Sequence, residues 1–145
     1  MNRYADTAFL VSLHSPDAHT EKVIAWIEDH PEPLPFTAFH RLEFRNALRL
    51  RVFRREITVH QREQGIQAML GDIAANVFYG IDPPWPDVLL EADRLSSSHS
   101  ESLGTRSLDI LHVASALVLG SSEFLTFDRR QAAMAKAVGL YCPNL

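Results

Sequence analysis

Short apolar runs alternate with longer helical segments from one end of the chain to the other, and this alternation constrains the fold more than any other feature. The strand candidates are Arg3 to Asp6, Leu34 to Thr37, Val77 to Ile81 and Phe124 to Phe127, with a last short one near Leu140. Helical composition fills the gaps: Thr7 to His14, a second helix that Asp17 is placed to cap, and Ala38 to Arg55. A helix capped by Thr58 and ending near Asn76 follows, then Pro86 to Ser96, Ser107 to Leu119 with Gly120 as its stop, and Arg129 to Val138. Helices between successive strands act as crossovers, which makes the strands parallel and covers both faces. The expectation is an α/β chain in three layers, α/β/α, around a mostly parallel central sheet. The serine-rich stretch Leu95 to Ser102 reads as a polar loop.

At 145 residues, with no repeat, linker or low-complexity tract, the whole chain from 1 to 145 reads as one domain. Hydrophobic residues make up 46%, enough for a core, and the formal net charge is −4, which is not a general nucleic-acid-binding composition. Attraction to phosphate must then come from local placement or from bound cations. Cys142 is the one cysteine, which excludes an internal disulfide and a multi-cysteine zinc site. No stretch approaches the roughly 20 apolar residues of a membrane helix, and Ala8 to Leu13 is too short for a secretory leader. The expectation is a cytoplasmic protein without a membrane partner.

Open parallel sheets present ligands at the carboxyl ends of their strands. Asp6 directly follows Tyr4-Ala5, and Asp128 directly follows Phe124 to Phe127. Asp109 falls in the first turn of the Ser107 helix among Leu108, Ile110 and Leu111, and Glu43 lies between Leu42 and Phe44. Acids in apolar surroundings are costly unless something offsets their desolvation, and a divalent cation does so directly. Each also has a plainer reading. Asp6 and Asp128 are placed to cap the helices that follow them, Asp109 to accept backbone donors at a helix start, and Glu43 to pair with a cation.

Taken as a set, the motifs resemble a known family. Tyr4-Ala5-Asp6-Thr7-Ala8-Phe9-Leu10 is similar to the opening of PIN domains, and Ser107 to Ala116 resembles their most distinctive internal motif. Phe124 to Gln131, followed by Ala137-Val138-Gly139-Leu140, resembles their closing strand and helix. The likeness spans nearly the whole chain and is strongest to the VapC toxins of bacterial toxin–antitoxin pairs. It implies a Mg²⁺- or Mn²⁺-dependent endoribonuclease, with Asp6, Glu43 and Asp109 in the places of the metal-binding acids and Asp128 in a more variable fourth place. It also implies an RNA substrate, a small antitoxin partner and a homodimer. Thr126, two residues before Asp128 on the same strand face, is a candidate to orient a ligand and equally a candidate buried hydroxyl.

Histidine offers little to a site. His112 shares a helix face with Asp109, but a packed core imidazole is the better reading, and no H-E-x-x-H pattern exists. Arginine is more informative. Arg41, Arg45 and Arg49 form a stripe nearly opposite Glu43, a solvated or partner-binding face. Arg54, on Glu43's side, and Arg129 and Arg130, directly after Asp128, are candidates for RNA phosphate. The helices Ala38 to Arg55 and Thr58 to Asn76 offer Phe53, Ile66, Met69, Leu70 and Ile73 as apolar surface for a partner.

Two rivals compete with a nuclease. A phosphatase of the haloacid-dehalogenase type needs a second aspartate two residues after the first, where this chain has Ala8. A degenerate PIN module that only binds protein or RNA is the other. The full set of family acids argues against it.

Overall fold

The computed structural model describes Asn2 to Leu145. In chain order its first elements are β1 (Arg3–Ala5), α1 (Thr7–His14), α2 (Thr20–Asp29), β2 (Leu34–Phe36), α3 (Ala38–Phe53), α4 (Val59–Ala74) and β3 (Phe78–Gly80). There follow α5 (Trp85–Leu95), a π-helical turn (Ser96–Ser100), α6 (Glu101–Leu103), α7 (Ser107–Val118), β4 (Glu123–Leu125) and α8 (Arg129–Ala137). The chain forms two compact units, one made of residues 2–6 with Asp82–Asn144, the other of Thr7–Ile81 with Leu145.

In the first unit β1 and β4 pair in parallel, with Tyr4 opposite Phe124 and Ala5 opposite Leu125. The Tyr4 and Phe124 rings stack with centroids 5.7 Å apart, and Arg3 Nε donates to Glu123 Oε2 at 2.7 Å across the opposed pair beside them. Tyr141 adds a further parallel bridge to Glu123, which is where the short strand near Leu140 was expected. Helix α7 has buried residues on all sides, Ile110, Val113, Ala114 and Ala116 among them, as befits a helix apolar around its circumference. It packs most closely against α5. His112 belongs to this core: it is 2% exposed, with Nδ1 2.8 Å from Tyr4 Oη.

In the second unit β2 and β3 are also parallel, with Leu34 opposite Phe78. Two threonines start the long helices there. Thr37 Oγ1 accepts from the His40 backbone N–H at 3.1 Å, and His40 Nδ1 accepts in return from the Thr37 N–H at 3.1 Å. Thr58 and Gln61 repeat this reciprocal box at α4, satisfying donors that a helix start leaves open. Phe9, Phe44, Leu48, Met69 and Phe78 are fully buried.

The small parallel sheet pieces and the α/β order agree with the sequence reading. Four details differ. Asp17 does not cap α2; the N-cap is His19, without a side-chain bond. Asp17 instead accepts from the His19 N–H at 2.8 Å, from Ser12 Oγ at 2.7 Å and from Arg51 Nη2 at 3.0 Å. The serine-rich segment is helical, because a π turn carries α5 on into α6 until Gly104, at φ 67°, ends it. The last core strand, β4, starts at Glu123 and ends at Leu125, two residues short of Phe127. Finally, Ile66 and Met69 are core residues and not partner surface, since a helical period alone does not distinguish a face buried at home from one buried by a partner.

Candidate functional site

Three of the four acids belong to the first unit: Asp6 directly after β1, Asp109 in the first turn of α7 and Asp128 at the start of α8. Asp6 follows β1, and its N–H donates to Leu125 O at 3.1 Å, continuing the parallel ladder one step beyond the strand. The residue is 5% exposed. Across from it, Thr126 follows β4 and donates its hydroxyl proton to Asp6 Oδ2 at 2.6 Å. Hydrogen bonds to a carboxylate are short and strong, so this contact fixes the carboxylate's rotation.

Two helix starts supply the other acids. Asp109 lies in the first turn of α7, where the positive end of the helix dipole favours a carboxylate. Asp128 is the N-cap of α8, with Oδ1 accepting the Gln131 N–H at 2.8 Å. The plain capping reading of Asp128 is therefore correct as far as one oxygen is concerned. Its own N–H donates to Thr126 Oγ1 at 3.0 Å. Thr126 thus orients Asp6 while being held by the Asp128 backbone.

Gln131, which the sequence reading passed over, closes the arrangement. It is 1% exposed. Its Nε2 donates to Asp109 O at 3.2 Å, and its Oε1 lies 3.0 Å from Thr126 Oγ1. The one signal available beforehand was its place three residues after Asp128, where a capping-box Glu or Gln ordinarily turns back to the cap. Here the side chain turns inward instead.

An open cleft of about 410 Å³ lies along Asp109 and Asp128 and is lined also by Gly104, Arg106, Arg129 and Arg130. Arg129 and Arg130 are exposed there. Arg106 was not foreseen; its spacing three residues before Asp109 at a helix start is the signal.

Glu43 lies on α3 in the second unit, half-buried, and accepts the Thr7 hydroxyl proton at 2.7 Å. Thr7 is the residue after Asp6 in the sequence. Leu42 is 65% exposed, so Glu43's flank is less apolar than its sequence neighbours imply. Arg54 is exposed just past α3, and Arg41 and Arg49 are exposed along it.

Carboxylate oxygens are the hard donors that Mg²⁺ and Mn²⁺ take, and the oriented Asp6 and the half-buried Asp109 offer that chemistry. Among the described residues no three His, Cys, Asp or Glu side chains are gathered into a ready cage. Mg²⁺ does not require one, because it is commonly held by one or two carboxylates with water and substrate phosphate completing its shell. Among the described residues no helix is long and apolar enough to cross a membrane.

The crystal structure of FitAcB from Neisseria gonorrhoeae is similar over 98% of this chain and 96% of that one, at 16% identity and a TM-score of 0.64. The 2.2 Å structure of VapBC-1 from nontypeable Haemophilus influenzae is similar over 99% of this chain and 98% of that one, at 15% identity and a TM-score of 0.65. At these identities the likeness is one of fold. No curated protein sequence matches. The model of the PIN domain family matches residues 3–137, and with nearly the whole chain inside that match, the protein belongs to the PIN domain family.

Proposed function

We propose that this chain is a divalent-metal-dependent endoribonuclease, the toxin of a toxin–antitoxin pair, with Asp6, Asp109 and Glu43 as its metal-holding acids and Asp128 as a fourth, more variable one. The observation that carries the reading is the hydrogen-bonded chain from the Asp6 carboxylate through Thr126 and Gln131 to the backbone carbonyl of Asp109, which links two acid-bearing residues of the family's motifs that are far apart in the sequence. PIN domains are generally nucleases and usually depend on a divalent metal. The resemblance of three motifs to VapC toxins and the fold shared with VapBC-1 support the toxin role. Glu43 enters by its place in the family's pattern.

A Mg²⁺ or Mn²⁺ bound here supplies Lewis acidity toward a phosphate and a lowered pKa for bound water. The chain's own residues do the rest. Thr126 keeps the Asp6 carboxylate in one rotamer, and Gln131 holds the first turn of α7 through the Asp109 carbonyl. Arg106, Arg129 and Arg130 set positive charge along the cleft that Asp109 and Asp128 share, offsetting repulsion between those acids and an RNA backbone. Partner binding fits the exposed Phe53, Val59 and Leu50 near the end of α3 and start of α4, a surface suited to an antitoxin or to a second copy of the chain.

Induced expression of the wild-type chain in bacteria should arrest growth and cut RNA, and the Asp109→Asn form should do neither. Equal harmlessness of both forms would overturn the toxin reading. Equal RNA cleavage by both purified forms would overturn the site.

A further inference from the structure

We propose that Gln131 is a positioning residue of the metal site, acting through Thr126 on Asp6 and through the backbone of Asp109. The inference rests on the functional reading above and deepens it.

Gln131 is buried at the start of α8, where a side-chain amide is costly unless its atoms are hydrogen-bonded. Its amide is spent on two neighbours that each bear on a carboxylate. Nε2 donates to the Asp109 carbonyl, which fixes the height of the α7 start relative to α8 within the same unit. Oε1 faces the Thr126 hydroxyl at 3.0 Å.

Thr126 has one proton and two acceptors in reach. Asp6 Oδ2, at 2.6 Å and in carboxylate chemistry, takes most of it. Gln131 Oε1 on the other side makes the contact three-centred and restricts rotation about the Thr126 side chain. The Asp128 N–H, donating to the same oxygen at 3.0 Å, completes the constraint. With Gln131 replaced by an apolar residue, Thr126 keeps its hydroxyl but gains rotational freedom. Asp6 and Asp109 then lose the common element that fixes both.

The test is calorimetric titration of the folded full-length protein with Mn²⁺ alone, alongside thermal unfolding. Outer partners of metal ligands typically account for about 10–100-fold in affinity, so Gln131→Met should raise the Mn²⁺ Kd by about tenfold or more. In a Thr126→Val background, where the hydroxyl that Gln131 steers is gone, the same change should do distinctly less, the non-additivity expected of one chain of contacts. Thr126→Ser, which keeps the hydroxyl, should retain most of the affinity. Gln131→Asn, one methylene short of spanning both neighbours, should weaken binding as Gln131→Met does and serves if the methionine form folds poorly.

A lowered unfolding temperature with an unchanged Mn²⁺ Kd in either folded variant would show that Gln131 is structural only and would overturn the proposal. Fully additive losses with Thr126→Val would overturn the path through Thr126. Absence of carboxylate-dependent Mn²⁺ binding in the wild-type protein would instead overturn the functional reading itself.

Discussion

Arg106 Nε stands 3.6 Å from Asp109 Oδ2 at the head of α7, with its side chain 81% exposed. That distance is an ion pair but not a hydrogen bond, so little holds the guanidinium against Asp109 once a phosphate offers a bidentate partner. Arg106→Gln is therefore expected to raise KM for RNA several-fold with a smaller effect on kcat. Losing one phosphate contact on a single strand should also flatten the salt dependence of RNA binding by about 0.7 in the log–log slope. Filter binding by the Asp109→Asn form across a salt series, with and without Arg106→Gln, measures this; identical slopes would remove Arg106 from the substrate's path.

The acids themselves should separate by role. Asp109→Asn and Asp6→Asn keep shape and lose the charge that attracts a cation, so cleavage by purified protein should fall by about 100-fold or more. Circular dichroism should remain that of the wild type. Glu43→Gln should also impair cleavage. Asp128→Asn should do less, because asparagine replaces aspartate well at an N-cap and the Gln131 N–H keeps an acceptor there. Full activity in Asp109→Asn would refute the assignment.

Asp17 carries a pH-dependent share of stability. Burial pushes its carboxyl up, but the Ser12 hydroxyl, the His19 N–H and Arg51 together hold it below the ordinary value of 3.8. A depressed folded-state value means that the folded form binds fewer protons than the unfolded chain near that pH. The stabilisation is present at neutral pH and above the unfolded value, and it is lost as pH falls through the folded one. The difference in urea midpoint between wild type and Asp17→Asn should be constant from pH 7 to about 5 and shrink below about 4. A difference that grows toward low pH would contradict this.

Which of these features could be read beforehand follows from the range over which each is determined. Asp6 was legible because an acid directly after a short apolar run lands at a strand's carboxyl end. Thr126 was singled out on a strand period of two, but β4 ends at Leu125, so its bond to Asp6 arises beyond the strand. The helix starts at Thr37 and Thr58 depend on the next three residues only. Gln131 depends on a rotamer that leaves its own helix for a carbonyl 22 residues earlier, and nothing local encodes that choice. Asp17 shows the same limit: its spacing suits a cap, but Arg51, 34 residues later, and Ser12 engage its carboxylate. The pairing of Thr7 with Glu43 likewise spans 36 residues and left no mark on either motif.

The ends of the cleaved RNA test the chemistry most directly. A ribonuclease that uses the substrate's own 2′-hydroxyl relies on paired general acids and bases, commonly histidines, and leaves a cyclic 2′,3′-phosphate. The buried histidines of this chain have other work: His112 faces Tyr4 in the core, and His40 closes the box at the start of α3. His14 pairs with Asp72 against Phe44 and Phe78. What the cleft does present is Asp109 and Asp128 with three arginines, groups suited to holding a cation and a phosphate rather than to shuttling a proton from a ribose. Hydrolysis by activated water expels the 3′ oxygen and leaves a 5′-phosphate and a 3′-hydroxyl. Fragments produced by purified protein with Mn²⁺ should therefore ligate directly through their 5′ ends, and EDTA should abolish their formation. Cyclic phosphate ends that persist in EDTA would exclude the hydrolytic route and turn attention back to the exposed histidines, His60 and His19 among them.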